Sequence, residues 1–230
     1  MNSSLVSYTK LSPNNSGKRT HAIDRITPHC VAGQLTVKQL GTIFAKKKRQ
    51  ASCNYAIGKD GKVALIVDES KRSWCSSSQA NDQRAVTIEC ASGISAPYAF
   101  NSAVYDRLVE LCVDICLRNG KSKLLWLGSK DKTLAYRPKS DEMVLTAHRW
   151  FKNKACPGDW LMSCMDELAE EVTKRLSTPE TAHITYNSLT DVAKDVIAGK
   201  YGSGLTRRSR LKAAGYDYKE VQKEVNRLLK

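Results

Sequence analysis

Two residues whose side chains bind zinc stand close together in the stretch LTAHRWFKNKACPGDWL, residues 145–161. Seven residues separate His148 from Cys156, Lys154 lies between them, and Pro157 and Gly158 follow directly. Imidazole and thiolate are ligands that zinc favours, and a catalytic zinc takes three protein ligands and keeps a fourth position open. The Pro-Gly break, with Asp159 read as a helix cap, sets Cys156 just ahead of a helix N-terminus, where the local positive potential favours thiolate. A third ligand must come from elsewhere in the chain. His29 closes a strand expected over residues 21–27, whereas His21 begins that strand and His183 lies in a polar stretch. Strand ends are where sites are usually assembled, so His29 is the best placed of the three, although position alone leaves the choice open.

The elements that must position these residues read as a mixture of strands and helices. After a polar start, HAIDRIT is a strand, and TVKQLGTIFAKKKR is a helix capped by Thr36 that ends on the cations Lys46 to Arg49. CNYAIGKDGKVALIVD has two apolar runs around Asp60-Gly61, a strong hairpin signal. AVTIECA, KLLWLG and MVLTAH read as further strands. Residues 101–118 form a helix that stops at Asn119-Gly120, and DWLMSCMDELAEEVTKRL forms another, capped by Asp159. The fold class is therefore α/β, a mixed central sheet flanked by helices, over residues 1–176. Residues 177–187 are polar and aperiodic and read as a linker. Residues 188–230 hold three short helical signals, closing on Gly199, on Gly215 and, after a capping box from Asp217 to Glu220, on the last residues: a small three-helix bundle.

Composition narrows the partner. The chain has 230 residues, 41% hydrophobic, and a formal charge of +14. That is enough apolar content for a sizeable core, and the charge points to an anionic partner: nucleic acid, a membrane surface or an acidic wall polymer. Aromatics are only 7%, and the cations are spread over both parts instead of following a base-stacking surface, which argues against nucleic acid. No secretory signal and no membrane-spanning run is read, so the chain is expected to be made in a cytoplasm without a membrane partner. There most of the eight cysteines are expected to be buried free thiols.

TPHCVAG, NYAIGKDGKV, VTIEC and the quoted histidine-to-Cys-Pro-Gly stretch, in that order and spacing, resemble the zinc-dependent N-acetylmuramoyl-L-alanine amidases of the peptidoglycan-recognition-protein type, especially those of phage endolysins. The resemblance covers roughly residues 8–176. It implies Zn2+ held by His29, His148 and Cys156, with Tyr55 near the metal, Lys154 beside the scissile carbonyl and Glu89 as the acid that activates water. The reaction implied is hydrolysis of the amide between N-acetylmuramic acid and L-alanine of peptidoglycan. Absence of a signal then suits an endolysin released to the wall through a holin. The segment from Asn119 to Asp141 departs from shorter family members, and Trp74 and Trp126 read as core aromatics with a possible place along a substrate groove. Residues from Asp191 onward resemble the three-helix cell-wall-binding repeat of phage lysozymes and amidases, which implies Lys200, Tyr201, Gly202 and Arg207 as contacts to the glycan and stem peptide. A muropeptide-binding protein of the same fold that does not cut is the main rival, and the presence of Cys156 favours the enzyme.

Overall fold

The computed structural model describes residues 1–177, 189–213 and 216–229. The chain divides into two compact units, Met1–Thr178 and Pro179–Lys230.

The first unit is built on a seven-stranded sheet in the order β1-β5-β4-β7-β3-β9-β8, with a separate ribbon of β2 and β6. The strands are β1 Val6–Thr9, β2 Asn15–Lys18, β3 Arg25–Cys30, β4 Tyr55–Ile57, β5 Val63–Leu65, β6 Lys71–Ser73, β7 Ala85–Cys90, β8 Lys123–Leu125 and β9 Glu142–Leu145. β4, β7, β3, β9 and β8 run parallel, while β4 and β5 pair antiparallel across the expected turn at Asp60-Gly61. The sheet is therefore mixed. α3 (Ser102–Arg118) and α5 (Asp159–Leu176) cover one face. They do so through stripes at helical spacing, Val104, Leu108, Leu111 and Ile115 on α3 and Leu161, Met165, Leu168 and Val172 on α5, against Val86, Ile88 and Leu145. α1 (Val37–Phe44) covers the other face through Val37, Leu40 and Phe44 against Ala56 and Ala64.

Several expectations need adjusting. The strand expected over residues 21–27 runs instead through Pro28 and His29 to Cys30. A proline inside a central strand needs a side with no hydrogen-bond partner. β3 offers one, because its ladder to β9 ends at the Ile26–Leu145 pair. α1 keeps Thr36 as its cap, in a capping box with Gln39, but stops at Phe44, and Lys47–Arg49 form a separate 3-10 turn. The cap of α5 is Gly158, with no side-chain bond, and Asp159 is the first helical residue and pairs with Arg149 at 2.9 Å. Gly158 has φ +92, and a Cβ there would meet the Pro97 carbonyl oxygen at 2.7 Å, so both the turn and the close approach require glycine. β1, β2, β6, α2 (Gln79–Arg84) and α4 (Lys130–Ala135) lie in polar stretches with no apolar period to announce them.

In the second unit α6 (Leu189–Ile197), α7 (Gly204–Ala213) and α8 (Tyr218–Leu228) enclose Val192, Val196, Leu211, Val221 and Val225. Asp217 caps α8 by accepting from the backbone N–H groups of Lys219 and Glu220. The expected linker beyond residue 177 and the closing Gly215 lie outside the described residues.

Candidate metal and catalytic site

The site forms at the carboxyl ends of the parallel strands, where loops from several strands converge. β3 and β7 pair His29 directly with Glu89, and β4 sets Ala56 beside Glu89, so both functional side chains leave the face that carries α1. His148 lies three residues past β9 in a 3-10 turn, and Cys156 lies in the loop before α5. Ligand atoms of His29, His148 and Cys156 all lie within 4.8 Å of one another. Cys156 Sγ is 3.3 Å from His29 Nδ1, and the two imidazoles meet edge to face with centroids 5.0 Å apart.

This donor set fits a metal. His29 is fully buried, and its Nε2 has no hydrogen-bond partner. A core histidine held only by the fold would have both nitrogens satisfied. Burial, and then neighbouring His148, hold the His29 imidazole well below the usual histidine range, so it is neutral with a lone pair to give. Burial and then Lys154 lower His148 as well. Ser77 Oγ lies 3.1 Å from His148 Nε2, which leaves Nδ1 as the free ring nitrogen. Ser77 adopts φ +62 to do so, a left-handed conformation costly for serine. The hydrogen bond with Cys30, and then burial, push the Cys156 thiol up, against the thiolate expected from the helix terminus alone. A thiol that coordinates a cation is deprotonated outright.

Glu89 is enclosed among these groups. Burial pushes its carboxyl up to about 8, and the Cys75 thiol donates to Oε1 at 3.8 Å. His29, Cys75 and Glu89 form a second cluster of donor atoms within 4.8 Å. Lys154 and His148 line the same cavity of about 520 Å³ as Glu89, together with Trp74, Arg49 and Arg72. Neither Ser77 nor Cys75 carried a signal in the sequence. Arg49, the last of the cations expected to end the first helix, lines this cavity. None of residues 119–141 lines it, and Trp126 instead stacks on Trp150 at 5.1 Å.

Tyr55 does not belong to this group. It pairs with Ile88, one residue out of step with Glu89, and so projects from the opposite face into the core under α3. Its hydroxyl donates to Glu69 Oε2 at 2.7 Å and accepts from the Ser3 N–H at 2.9 Å, and Arg118 grips both oxygens of Glu69 at 2.7 and 2.8 Å. The expected place near the metal is therefore corrected to a structural one that ties down the N-terminal segment. Tyr55→Phe should leave hydrolysis unchanged and cost about 1–3 kcal/mol of stability through the partners left unpaired, measured by denaturant unfolding.

In the second unit, Arg207 Nε donates to the Gly202 carbonyl at 3.0 Å, Lys200 pairs with Asp195 at 2.7 Å, and Tyr201 packs against the core. Gly202 has φ +71, which suits a glycine turn. The structure gives these four residues roles within the module itself.

The family model described as N-acetylmuramoyl-L-alanine amidase matches residues 19–159, more than half of the chain. The chain belongs to the N-acetylmuramoyl-L-alanine amidase family. That of the CW_7 repeat matches residues 190–229 of the amidase, in its second unit. Among curated proteins none matches. Solved structures similar to the amidase include Staphylococcus aureus hydrolase AmiA in complex with its ligand, with 12% identity, 76% of this chain and 91% of that chain covered, and a TM-score of 0.50. A mutant endolysin from Bacillus subtilis has 12% identity, covers 72% and 97%, and has a TM-score of 0.47. N-acetylmuramoyl-L-alanine amidase LysC from Clostridium intestinale has 14% identity, covers 75% and 99%, and has a TM-score of 0.46. The likeness to AmiA concerns the fold. The function of the amidase is peptidoglycan hydrolysis, as its family and its CW_7 repeat indicate.

Proposed function

We propose that this amidase is a zinc-dependent endolysin of phage or prophage type, in which His29, His148 and Cys156 hold the metal and Glu89 and Lys154 act on the amide between N-acetylmuramic acid and L-alanine. The observation that carries this reading is the meeting of three donors from distant positions within 4.8 Å, with half-buried Glu89 in register beside His29. Zinc, when bound, supplies Lewis acidity and lowers the pKa of water. Glu89, in its carboxylate form, takes a proton from the attacking water and returns it to the departing L-alanine amine. The Cys75 thiol holds one oxygen of that carboxyl in place. The Lys154 ammonium, which shares the cavity with His148, stabilises negative charge developing on the carbonyl oxygen.

Digestion of purified wall tests the reaction: new L-alanine amino termini are expected, and elemental analysis should find one zinc per chain. New reducing sugars without new amines would overturn the reading, since a glycosidase needs two facing carboxylates instead.

The second unit is read as an anchor that raises the enzyme's concentration at the wall, with Lys200, Tyr201, Gly202 and Arg207 among its contacts. Deleting residues 186–230 should weaken wall binding by about tenfold or more and leave turnover of a small soluble muropeptide unchanged. Pull-down on insoluble wall at low and high salt separates recognition from charge attraction. No helix of the described residues is long and apolar enough to cross a membrane. Release to the wall through a holin completes the proposal.

A further inference from the structure

The catalytic cavity carries more positive charge than amide hydrolysis requires. Arg49, Arg72 and Lys154 line it, and its acids are Asp82 and Glu89. Both acids are already engaged: Asp82 accepts from the backbone N–H groups of Cys75 at 3.0 Å and Ser76 at 3.2 Å, and Glu89 accepts from the Cys75 thiol. The ion pairs among the described residues leave out all three cations.

Arg72 is held as a ligand-binding group would be. It comes from β6, and the β2–β6 ribbon brings Ser16 opposite it. Ser16 Oγ accepts from the Arg72 guanidinium and from Trp74 Nε1 at 2.7 Å, so one hydroxyl fixes a guanidinium and an indole side by side on the cavity wall. Arg72 Nε is buried with no partner. Arg49 reaches the cavity from the 3-10 turn, where Gln50 reverses the chain in a left-handed conformation at φ +50. A planar guanidinium whose donors no ion pair takes up can match a carboxylate in two parallel hydrogen bonds.

We propose that Arg49 and Arg72 bind a free carboxylate of the stem peptide, so that the enzyme selects stems whose second residue keeps its α-carboxyl over stems in which that group is an amide. The inference rests on the reading of this cavity as the amidase site. Arg49 and Arg72 do not enter the hydrolytic step, so their loss should act on substrate binding. Lys154 is left out of the test because it is assigned to the reaction.

The probes are two soluble muramyl tripeptides that differ only at the glutamyl α-carboxyl, free acid in one and amide in the other. The wild-type enzyme is expected to cleave the acid with kcat/KM higher by about tenfold or more, carried mainly by KM, as loss of a charge-assisted pair would give. Arg72→Gln and, from a separate element, Arg49→Gln should raise KM for the acid toward that of the amide, so that the ratio of the two kcat/KM values falls toward one. Thermal unfolding of both variants checks that the fold persists. Equal cleavage of the two tripeptides by the wild-type enzyme, or variants that lose equally on both, would overturn the carboxylate site while leaving the amidase reading intact. Cleavage of neither tripeptide strikes at the amidase reading itself.

Discussion

Cys156→Ser should leave the chain without stoichiometric zinc and slow amide hydrolysis by about a thousandfold or more. A serine hydroxyl keeps its proton at neutral pH and is a far poorer zinc ligand than thiolate, so the site falls from three donors to two. Loss of the metal removes Lewis-acid stabilisation worth several kcal/mol, and each 1.36 kcal/mol is about tenfold in rate. Cys30→Ser is the control, because Cys30 bonds to Cys156 without belonging to the donor triad. That variant should keep its zinc. Elemental analysis beside a rate assay decides the matter: full zinc with full activity in Cys156→Ser would show that the ligands are wrongly placed.

Glu89→Gln should have two opposite effects. The amide cannot accept and return a proton, so the rate should fall by about a hundredfold or more while zinc remains bound. Stability of the metal-free protein should move the other way. Burial raises the Glu89 carboxyl to about 8 in the folded chain, whereas an unfolded glutamate titrates near 4.5. Between those values the unfolded chain gives up the proton and the folded chain retains it. The stabilising contribution is therefore fully present below about pH 4.5 and is lost as pH rises through about 8, by up to roughly 5 kcal/mol. Glutamine has no such dependence. The variant should gain in unfolding midpoint relative to the wild-type chain as pH is raised from 5 to 9. A midpoint difference that stays flat across that range would mean that Glu89 is not held in a buried, proton-retaining environment.

Much of the framework could be read from residue order because it rests on local signals. Asp60-Gly61 marked the β4–β5 hairpin, the apolar stripes of α3 and α5 marked the core helices, and the Cys-Pro-Gly break marked the start of α5. The three proposed donors came from the family resemblance, since position alone left the choice of His29 open among the histidines and a single histidine-to-cysteine spacing carries little information. What escaped depends on contacts between distant segments. Ser77 sits in a run of serines, and only the fold brings it to His148 across 71 positions. Tyr55 illustrates the reverse error. The family resemblance suggested the site, but alternation along β4 turns it to the other face, and only pairing with Ile88 rather than Glu89 decides which face that is. The short β2–β6 ribbon has no apolar period, so the anchoring of Arg72 and Trp74 on Ser16 could not be foreseen.

The wide separation of the donors also fixes when activity can first exist during synthesis. His29 and Cys156 meet across 127 positions, and β3 is flanked by β9, whose residues follow it by more than a hundred. A ribosome adding about 5–20 residues per second leaves several seconds in which β3, β4 and β7 can associate while the other two donors are not yet made. A nascent chain in that interval holds one member of the proposed triad, His29, beside Cys75 and Glu89. On the proposed ligand set the hydrolase is therefore completed late, by the closing of β9 and the loop that follows it.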